Sequence, residues 1–170
     1  GTSLTITWPF GHQANDIGII ILETSGNSAT ITPPSGWAAI PGTPVTDVAT
    51  TAGSKLHVWW KRATSSSEPT VATGTATDHI LTRLYNFRGC VETGNPWNVT
   101  ATGVKTTAST TATVPSLTTT VDDTYILMLI GRPDDNSFTT YFGTPVNANL
   151  TGLADIDEGG TGTGNGGGFA

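Results

Sequence analysis

The chain has 170 residues, a formal net charge of −6 and only seven lysines and arginines, which argues against a nucleic-acid partner because such binding needs several cationic contacts to phosphate. Its single cysteine excludes an internal disulfide framework and a cysteine-rich zinc site, and no apolar run approaches the length of a membrane-spanning helix. About one residue in five is Thr, whereas Glu, Lys, Gln and Met are scarce, so the composition predicts an all-β protein with long loops.

The first strand signals lie in the N-terminal half of the chain. Residues Thr2–Trp8 alternate apolar with polar side chains, the pattern of a strand that buries one face. Residues Ile17–Thr24 are nearly all apolar, which predicts a central strand covered on both faces, or one whose outer face meets another subunit. Residues Ser54–Arg62 alternate again, so successive side chains point to opposite faces.

Two further strong strand signals, His79–Gly89 and Thr124–Gly131, lie later in the chain. Together with shorter runs they give about nine to eleven candidate strands and essentially no helix. This pattern predicts an all-β fold, a β-sandwich with jelly-roll or Greek-key-like connections. We expect one domain over residues 1–158, and a Gly-rich stretch over 159–170 that forms a flexible tail or a loop leading to a strand absent from this chain.

The stretch "TPPSGW" places Trp37 directly behind a stiff turn. Pro34 has a fixed φ and no backbone donor, and Gly36 allows the positive φ of a sharp reversal. Because Trp37 begins the short run "WAAI", we expect its ring to plug the core rather than to serve as a ligand platform. Trp60, which shares a strand face with Leu56, is expected in the core as well, and Pro34 and Gly36 are predicted to belong to the structural core with it.

Trp59 is the sharpest candidate for binding. It points away from Trp60 and shares its face with His57, and aromatic side chains on an outer face stack on sugars or anchor protein interfaces. Three interpretations stay open: both faces of this strand are covered from within the chain, Trp59 meets another subunit, or Trp59 stacks on a sugar. Trp97, in the loop sequence "GNPWN", is the second candidate for an exposed aromatic residue.

No constellation in the sequence indicates catalysis. The chain lacks a G-x-S-x-G nucleophile elbow, and its three histidines lie in unrelated segments without metal-ligand spacing. Asp155 and Asp157 are separated by one residue in an acidic loop, a spacing found among calcium ligands, so they are weak candidates for a calcium site. We therefore predict no enzyme, no catalytic residue and no cofactor other than this weak calcium candidate.

Four stretches of the first half resemble a pattern found in bacteriophage and prophage virion proteins. "NDIGIIILET" is similar to a "GD-L" strand with its acid–glycine pair inverted, and "ITPPSGWAAI" is similar to a "P-x-G-W" turn. "SKLHVWWKRATSSSEPT" resembles a strand that ends in basic residues before "x-E-P", and "HILTRLYNFRG" resembles a strand that ends in "F-R-G". The resemblance covers residues 15–89, with a looser echo in the "GGGFA" tail.

The resemblance implies a non-enzymatic β-sandwich subunit of a phage particle, such as a head-decoration, head-fibre or tail-associated protein located in the virion. Its partners would be further copies of the chain and other virion proteins, with a host-surface glycan as a further candidate and without nucleic acid or membrane. A neighbouring subunit could complete an unpaired sheet edge. Two alternatives stay open: a secreted or cell-surface carbohydrate-binding or adhesin module that uses an exposed Trp, and an extracellular filament subunit assembled by strand exchange.

Overall fold

The computed structural model describes residues 3–25, 30–46, 53–75, 79–105, 107, 109, 111–133, 143, 145–154, 159–161 and 167–170. In this part of the chain the backbone forms ten β-strands and no helix, and every strand pairs antiparallel with a neighbour, which confirms the all-β prediction. The strands are β1 (Thr5–Ile6), β2 (Ile17–Ser25), β3 (Ala38–Ala39), β4 (Val45–Thr46), β5 (Ser54–Arg62), β6 (Val71–Ala72), β7 (Ile80–Phe87), β8 (Gly131–Arg132), β9 (Gly159–Thr161) and β10 (Gly167–Phe169).

Three long strands form the centre of the fold. β2 lies between β5 and β7, and β3 and β4 both pair with the other edge of β5. The β-branched Ile residues of β2 suit a strand that has neighbours at both edges and packing on both faces. Ile20 lies opposite Trp59 on β5 and Leu84 on β7, so the apolar side chains of the three strands line up on common faces.

The front face of this central sheet, the face of Ile20, Leu22 and Trp59, carries the larger core cluster. Trp8 packs there beneath the short sheet of β1 and β6. Gly18 makes this packing possible, because a Cβ at that position would lie 2.5 Å from the ring carbon Cη2 of Trp8. The glycine of the "NDIG" stretch is therefore required by the close approach of an indole to β2.

The back face, the face of Ile21, Leu56 and Val58, carries a second cluster that includes Phe169 of β10. β10 pairs with β8 and β9 to form a three-stranded sheet over this face. The Gly-rich end of the chain thus contains a buried strand, which differs from the expectation of a flexible tail or of a strand absent from the chain. The described residues form three layers, a central sheet with a small sheet on each face, and the jelly-roll or Greek-key arrangement stays a prediction.

The strand predicted over Thr124–Gly131 is mostly not formed. Of Thr124–Gly131 only Gly131 joins a strand, β8, although Ile130 also exchanges two backbone hydrogen bonds of 2.9 Å with Ala170. Tyr125 and Leu127 are exposed. A run of β-formers becomes a strand only when a neighbouring strand supplies hydrogen bonds, and no described strand lies beside this part of the run.

Candidate interaction surfaces

A loop at one end of the central sheet displays a single aromatic side chain. Residues 9–16, called the Phe10 loop here, join β1 to β2. Phe10 is fully exposed and is the most exposed of the large apolar side chains that the structure describes. An open groove of about 510 Å³ lies beside it, lined by Trp8, His12 and Ser66 among others. Hydrophobic periodicity does not single out Phe10, because this residue lies in a loop between strands.

His12 fixes this loop from the inside. Its buried ring lies 5.2 Å from the ring of Trp8. The backbone N–H of Glu68 donates to Nε2 at 3.1 Å, which requires an unprotonated Nε2 and leaves the proton on Nδ1. Nδ1 then donates to the Pro9 carbonyl at 3.0 Å. A single neutral ring therefore ties the start of the loop to a distant part of the chain.

Asp16 fixes the other end of the loop. Arg88 donates to both of its carboxylate oxygens, from Nε at 2.9 Å and from Nη2 at 2.8 Å, and Nη2 also donates to the Gly11 carbonyl at 2.7 Å. The Asn86 amide and the backbone N–H of Gln13 each donate to Oδ2 at 2.9 Å. The hydrogen bonds from Arg88, then those from Asn86 and Gln13, hold the pKa of Asp16 well below its usual range despite its burial.

Glu68 forms a third anchor, next to the strand end of β5. Its buried carboxylate pairs with the Lys61 ammonium and accepts a hydrogen bond of 2.8 Å from the Thr64 hydroxyl. Burial alone would raise the pKa of Glu68, but the hydrogen bonds from Lys61 and Thr64 outweigh burial and lower the pKa to about 2. Because Glu68 also binds His12 through its backbone, this anchor and the Phe10 loop are one connected network.

The anchors are formed by residues of the sequence stretches that were compared with virion proteins above. The acid of "NDIG" is Asp16, the arginine of "FRG" is Arg88, and the two are joined side chain to side chain. The basic end of "HVWWKR" supplies Lys61, and the "S-E-P" sequence supplies Glu68. Three of the four stretches therefore meet at the same end of the sheet, where they hold the Phe10 loop in shape.

Two buried ionisable groups, His57 and Glu68, are each expected to lower the free energy of unfolding when the solution is acidified. Burial, and next the charge of Lys55, lower the pKa of His57 to about 4, and the pKa of Glu68 is lowered as well. Both groups bind fewer protons in the folded chain than in the unfolded one, so stability is present at neutral pH and is lost as pH falls. We expect a fall from about pH 6.5 to 4 for His57 and from about pH 4.5 to 2 for Glu68, each on the order of 2 kcal/mol.

Denaturant unfolding across this pH range checks the prediction. Glu68→Gln is expected to make the lower part of the curve shallower, where Asp16 also contributes, and His57→Gln is expected to change the upper part, where the raised pKa of Glu23 acts in the opposite direction. A pH dependence of stability that neither variant changes would contradict the prediction.

A second surface is a long excursion between β7 and β8, residues 98–120, called the arm here. The side-chain amide Nδ2 of Asn98 donates to the Thr120 hydroxyl, and the Thr120 backbone N–H donates to the side-chain oxygen Oδ1 of Asn98, both at 2.8 Å. The two limbs also touch further out, because a Cβ on Gly103 would lie 2.7 Å from Cγ of Pro115. The arm is thus closed at its base by one reciprocal pair of hydrogen bonds.

The arm exposes both apolar side chains and backbone. Val104, Val114 and Leu117, called the arm patch here, are 47%, 42% and 42% exposed. No backbone–backbone hydrogen bond joins the described residues of the arm to one another or to the rest of the described chain. Lys105 is the single charged residue between positions 98 and 120. A Thr-rich segment whose described residues make no backbone–backbone hydrogen bond within the described part of the chain is suited to pairing with another chain.

The predicted binding residues of β5 lie inside the protein. Trp59 is 1% exposed in the front-face cluster, and the buried His57 ring lies 5.5 Å from it. Nε2 of His57 has no hydrogen-bond partner among the described residues. This arrangement corresponds to the interpretation in which both faces of the strand are covered from within the chain, and it corrects the expectation of an exposed aromatic face.

Of the four residues predicted for the structural core only Trp37 is buried, because Pro34 and Gly36 belong to the surface turn that leads to it and are half-buried and exposed, respectively. Trp37 is buried with its ring 5.5 Å from that of Trp8, and its backbone N–H donates to the Pro34 carbonyl at 2.9 Å across a turn in which Gly36 has a φ of 81°. Trp60 is only half-buried, on the back-face side of β5.

The ring of Trp60 meets that of Trp97 edge-on at 5.2 Å, so the loop tryptophan predicted to be exposed is half-buried. Its indole packs on another indole of the same chain instead of standing free as a platform.

The back face also contains a buried acid–base pair that the sequence did not indicate. Oε2 of Glu23 on β2 lies 2.8 Å from Nε2 of His79, and both side chains are buried. Burial raises the pKa of Glu23, and the contact with His79 offsets this effect only in part. Gly167 of β10 lies directly over the pair. The two partners are 56 residues apart in the sequence, so no spacing signal connects them.

The calcium candidates Asp155 and Asp157 lie outside the described residues. Within the described part of the chain no group of three or more His, Cys, Asp or Glu side chains is arranged to hold a metal ion. No helix in that same part is long and apolar enough to cross a membrane. No family model, curated protein or solved structure matches this chain.

Proposed function

We propose that this chain is a non-enzymatic structural subunit of a bacteriophage virion, a capsid-decoration, head-fibre or tail-associated protein, which acts by packing against other copies of itself and against neighbouring virion proteins. The observation that carries the proposal is the arm, which exposes apolar side chains on a segment whose described residues make no backbone–backbone hydrogen bond within the described part of the chain. The resemblance of residues 15–89 to phage virion proteins supplies the biological setting.

The distribution of charge supports self-association through the arm. The chain carries a net charge of −6, so two copies repel each other wherever their acidic surfaces approach. The arm has no acidic residue and therefore offers a surface on which copies meet without like charges facing each other. The interior position of Trp59 removes the tryptophan that was the main platform candidate for the alternative of a sugar-binding module.

Self-association is tested by size-exclusion chromatography with light scattering over a wide range of protein concentrations. We expect an oligomer for the wild-type chain and at least about tenfold weaker association for the double variant Val114→Asp, Leu117→Asp, because each new carboxylate adds like charge to the contact. The control is Val146→Asp, which alters a more exposed valine outside the arm and is expected to leave association unchanged.

Membership of the virion is tested separately. We expect peptides of this chain in the mass spectrum of gradient-purified phage particles produced from the genome that encodes it. A chain that stays monomeric at every concentration, is missing from those particles and binds glycans on an array would contradict the proposal and favour the carbohydrate-binding alternative.

A further inference from the structure

The last strand, β10, lies closed over the buried Glu23–His79 pair of the back face. The side chains of Glu23 and His79 are 0% and 8% exposed, and Oε2 and Nε2 are 2.8 Å apart. A Cβ on Gly167 would lie 2.6 Å from Oε1 of Glu23 and 2.7 Å from Nε2 of His79, so the bare backbone of β10 covers the pair and leaves no room for water between them. The position of β10 and the charge of this pair are therefore coupled by direct contact.

The pair holds its charge without help from water. Oε1 of Glu23 has no hydrogen-bond partner among the described residues. A buried ionised carboxylate is tolerated when its partner carries the opposite charge, whereas a neutral carboxyl needs no counter-charge. With one proton between them, Glu23 and His79 are neutral overall, as carboxylate beside imidazolium or as carboxyl beside imidazole. Loss of that proton leaves a net negative charge beneath β10.

Among the described residues, His79 supplies the charge that offsets the burial of Glu23: burial raises the pKa of Glu23, and the contact with His79 lowers it in part. The other charged or titratable side chains on the strands packed against the pair are Lys55, His57, Lys61 and Arg62 of β5, Arg83 and Tyr85 of β7, and Arg132 of β8. Those of β5 lie on the front face or, for Arg62, at the far end of the sheet. Arg83 is exposed to water. Arg132 follows Gly131, whose position faces Leu56, so alternation directs Arg132 to the other side of its sheet.

We propose that the Glu23–His79 pair is a proton-dependent switch that holds β10 in place. While the two side chains hold one proton between them, the strand stays closed over the back face; when that proton is lost, the strand opens and the carboxylate reaches water. Opening withdraws the buried Phe169 from the back-face cluster and removes the partner of β8. A sheet edge freed in this way is a place where another chain can add a strand. The inference goes beyond the proposed function and does not depend on it.

Proton linkage gives the direction and the slope of the effect. In water, a Glu and a His together bind one proton between about pH 4.3 and 6.5, their ordinary pKa values, and bind none above that range. The closed pair keeps its proton to a higher pH, because burial opposes a net charge. Above about pH 6.5 opening therefore releases one proton, and the ratio of open to closed β10 rises about tenfold per pH unit.

Two probes on the intact chain measure the opening of β10. The ¹⁹F NMR signal of 4-fluorophenylalanine at position 169 distinguishes a buried from an exposed ring. The protection of the Ile130 and Ala170 amides against hydrogen exchange, corrected for the intrinsic pH dependence of exchange, gives the open fraction. Between pH 7 and pH 9 we expect this protection to fall about 100-fold in the wild type. The amides of β2 are expected to keep their protection, because the opening is local.

Glu23→Gln decides between a switch and a merely structural pair. Gln has nearly the same shape and carries no negative charge at any pH, so we expect equal protection of Ile130 and Ala170 at pH 7 and pH 9, whatever its absolute value. The matched control is Glu92→Gln, which removes the charge of an exposed glutamate and is expected to keep the wild-type slope.

His79→Gln serves as the second variant should Glu23→Gln fail to fold. Without the imidazole, opening releases the proton of Glu23 alone, so the fall in protection is expected to begin about two pH units lower than in the wild type. The proposal is overturned if wild-type protection is equal at pH 7 and pH 9, if Glu23→Gln keeps the fall, if His79→Gln leaves its onset unmoved, or if the amides of β2 lose protection in parallel.

Discussion

Replacement of Trp59 by Ala is expected to lower the free energy of unfolding by about 3–5 kcal/mol. The indole is 1% exposed and lies on the central strand pair, opposite Ile20 and packed in the same cluster as Trp8 and Trp37. Its removal leaves a large cavity between layers that other strands hold apart, so the surrounding side chains cannot collapse to fill it. Denaturant unfolding followed by circular dichroism measures the change.

Trp97→Ala is the matched control, since it also removes one indole. Trp97 is half-buried in a loop and stacks edge-on against Trp60, so we expect a loss of about 1 kcal/mol. Equal losses for the two variants would contradict the assignment of Trp59 to the core. Such a result would return Trp59 to the list of candidates for an outer binding face.

Gly167→Ala is expected to lower the free energy of unfolding by about 1–3 kcal/mol, an unusual cost for the addition of one methyl group. A Cβ at position 167 would lie 2.6 Å from Oε1 of Glu23 and 2.7 Å from Nε2 of His79. These atoms belong to a buried pair, and rotating either side chain away would break the 2.8 Å contact between them. The alternative is a shift of β10 away from the sheet, which would expose Phe169.

Hydrogen exchange distinguishes the two responses to Gly167→Ala. If β10 shifts, the amides of Ile130 and Ala170, which bond each other's carbonyls, are expected to exchange faster than in the wild type. The control Gly143→Ala adds a methyl group where no atom lies within 4 Å, and it is expected to change stability by less than about 0.5 kcal/mol. Combining Gly167→Ala with Glu23→Ala is expected to cost less than the sum of the two single changes, because the smaller side chain makes room. Additive losses would show that the methyl group does not meet this carboxylate.

The long strands could be predicted because their signals are local. Alternation in Ser54–Arg62 and the apolar run at Ile17–Thr24 correspond closely to β5 and β2, and the stiff turn before Trp37 leads into the core as expected. Alternation also separates Trp59 from Trp60 correctly. It cannot tell which face another layer will cover, so the sequence left the burial of Trp59 open.

The rest depended on contacts between distant parts of the chain. Asp16 and Arg88 are 72 residues apart and Glu23 and His79 are 56 apart, so no spacing rule connects them. β10 is made of glycines and one Phe, and glycine has no side chain whose alternation could reveal a strand. Phe10 could not be predicted either, because a single aromatic residue in a loop belongs to no periodic pattern. Only the structure shows that its side chain is exposed and that its loop is held at both ends.

The Asp16–Arg88 link has a bearing on the order of events in a cell. Arg88 follows the end of β7, so its hydrogen bonds to the Asp16 carboxylate can form only after β7 has paired with β2. Until those hydrogen bonds form, the Asp16 carboxylate lacks its cationic partner and the Phe10 loop is not held at that end. The shape of the loop therefore depends on completion of the β2–β7 pairing.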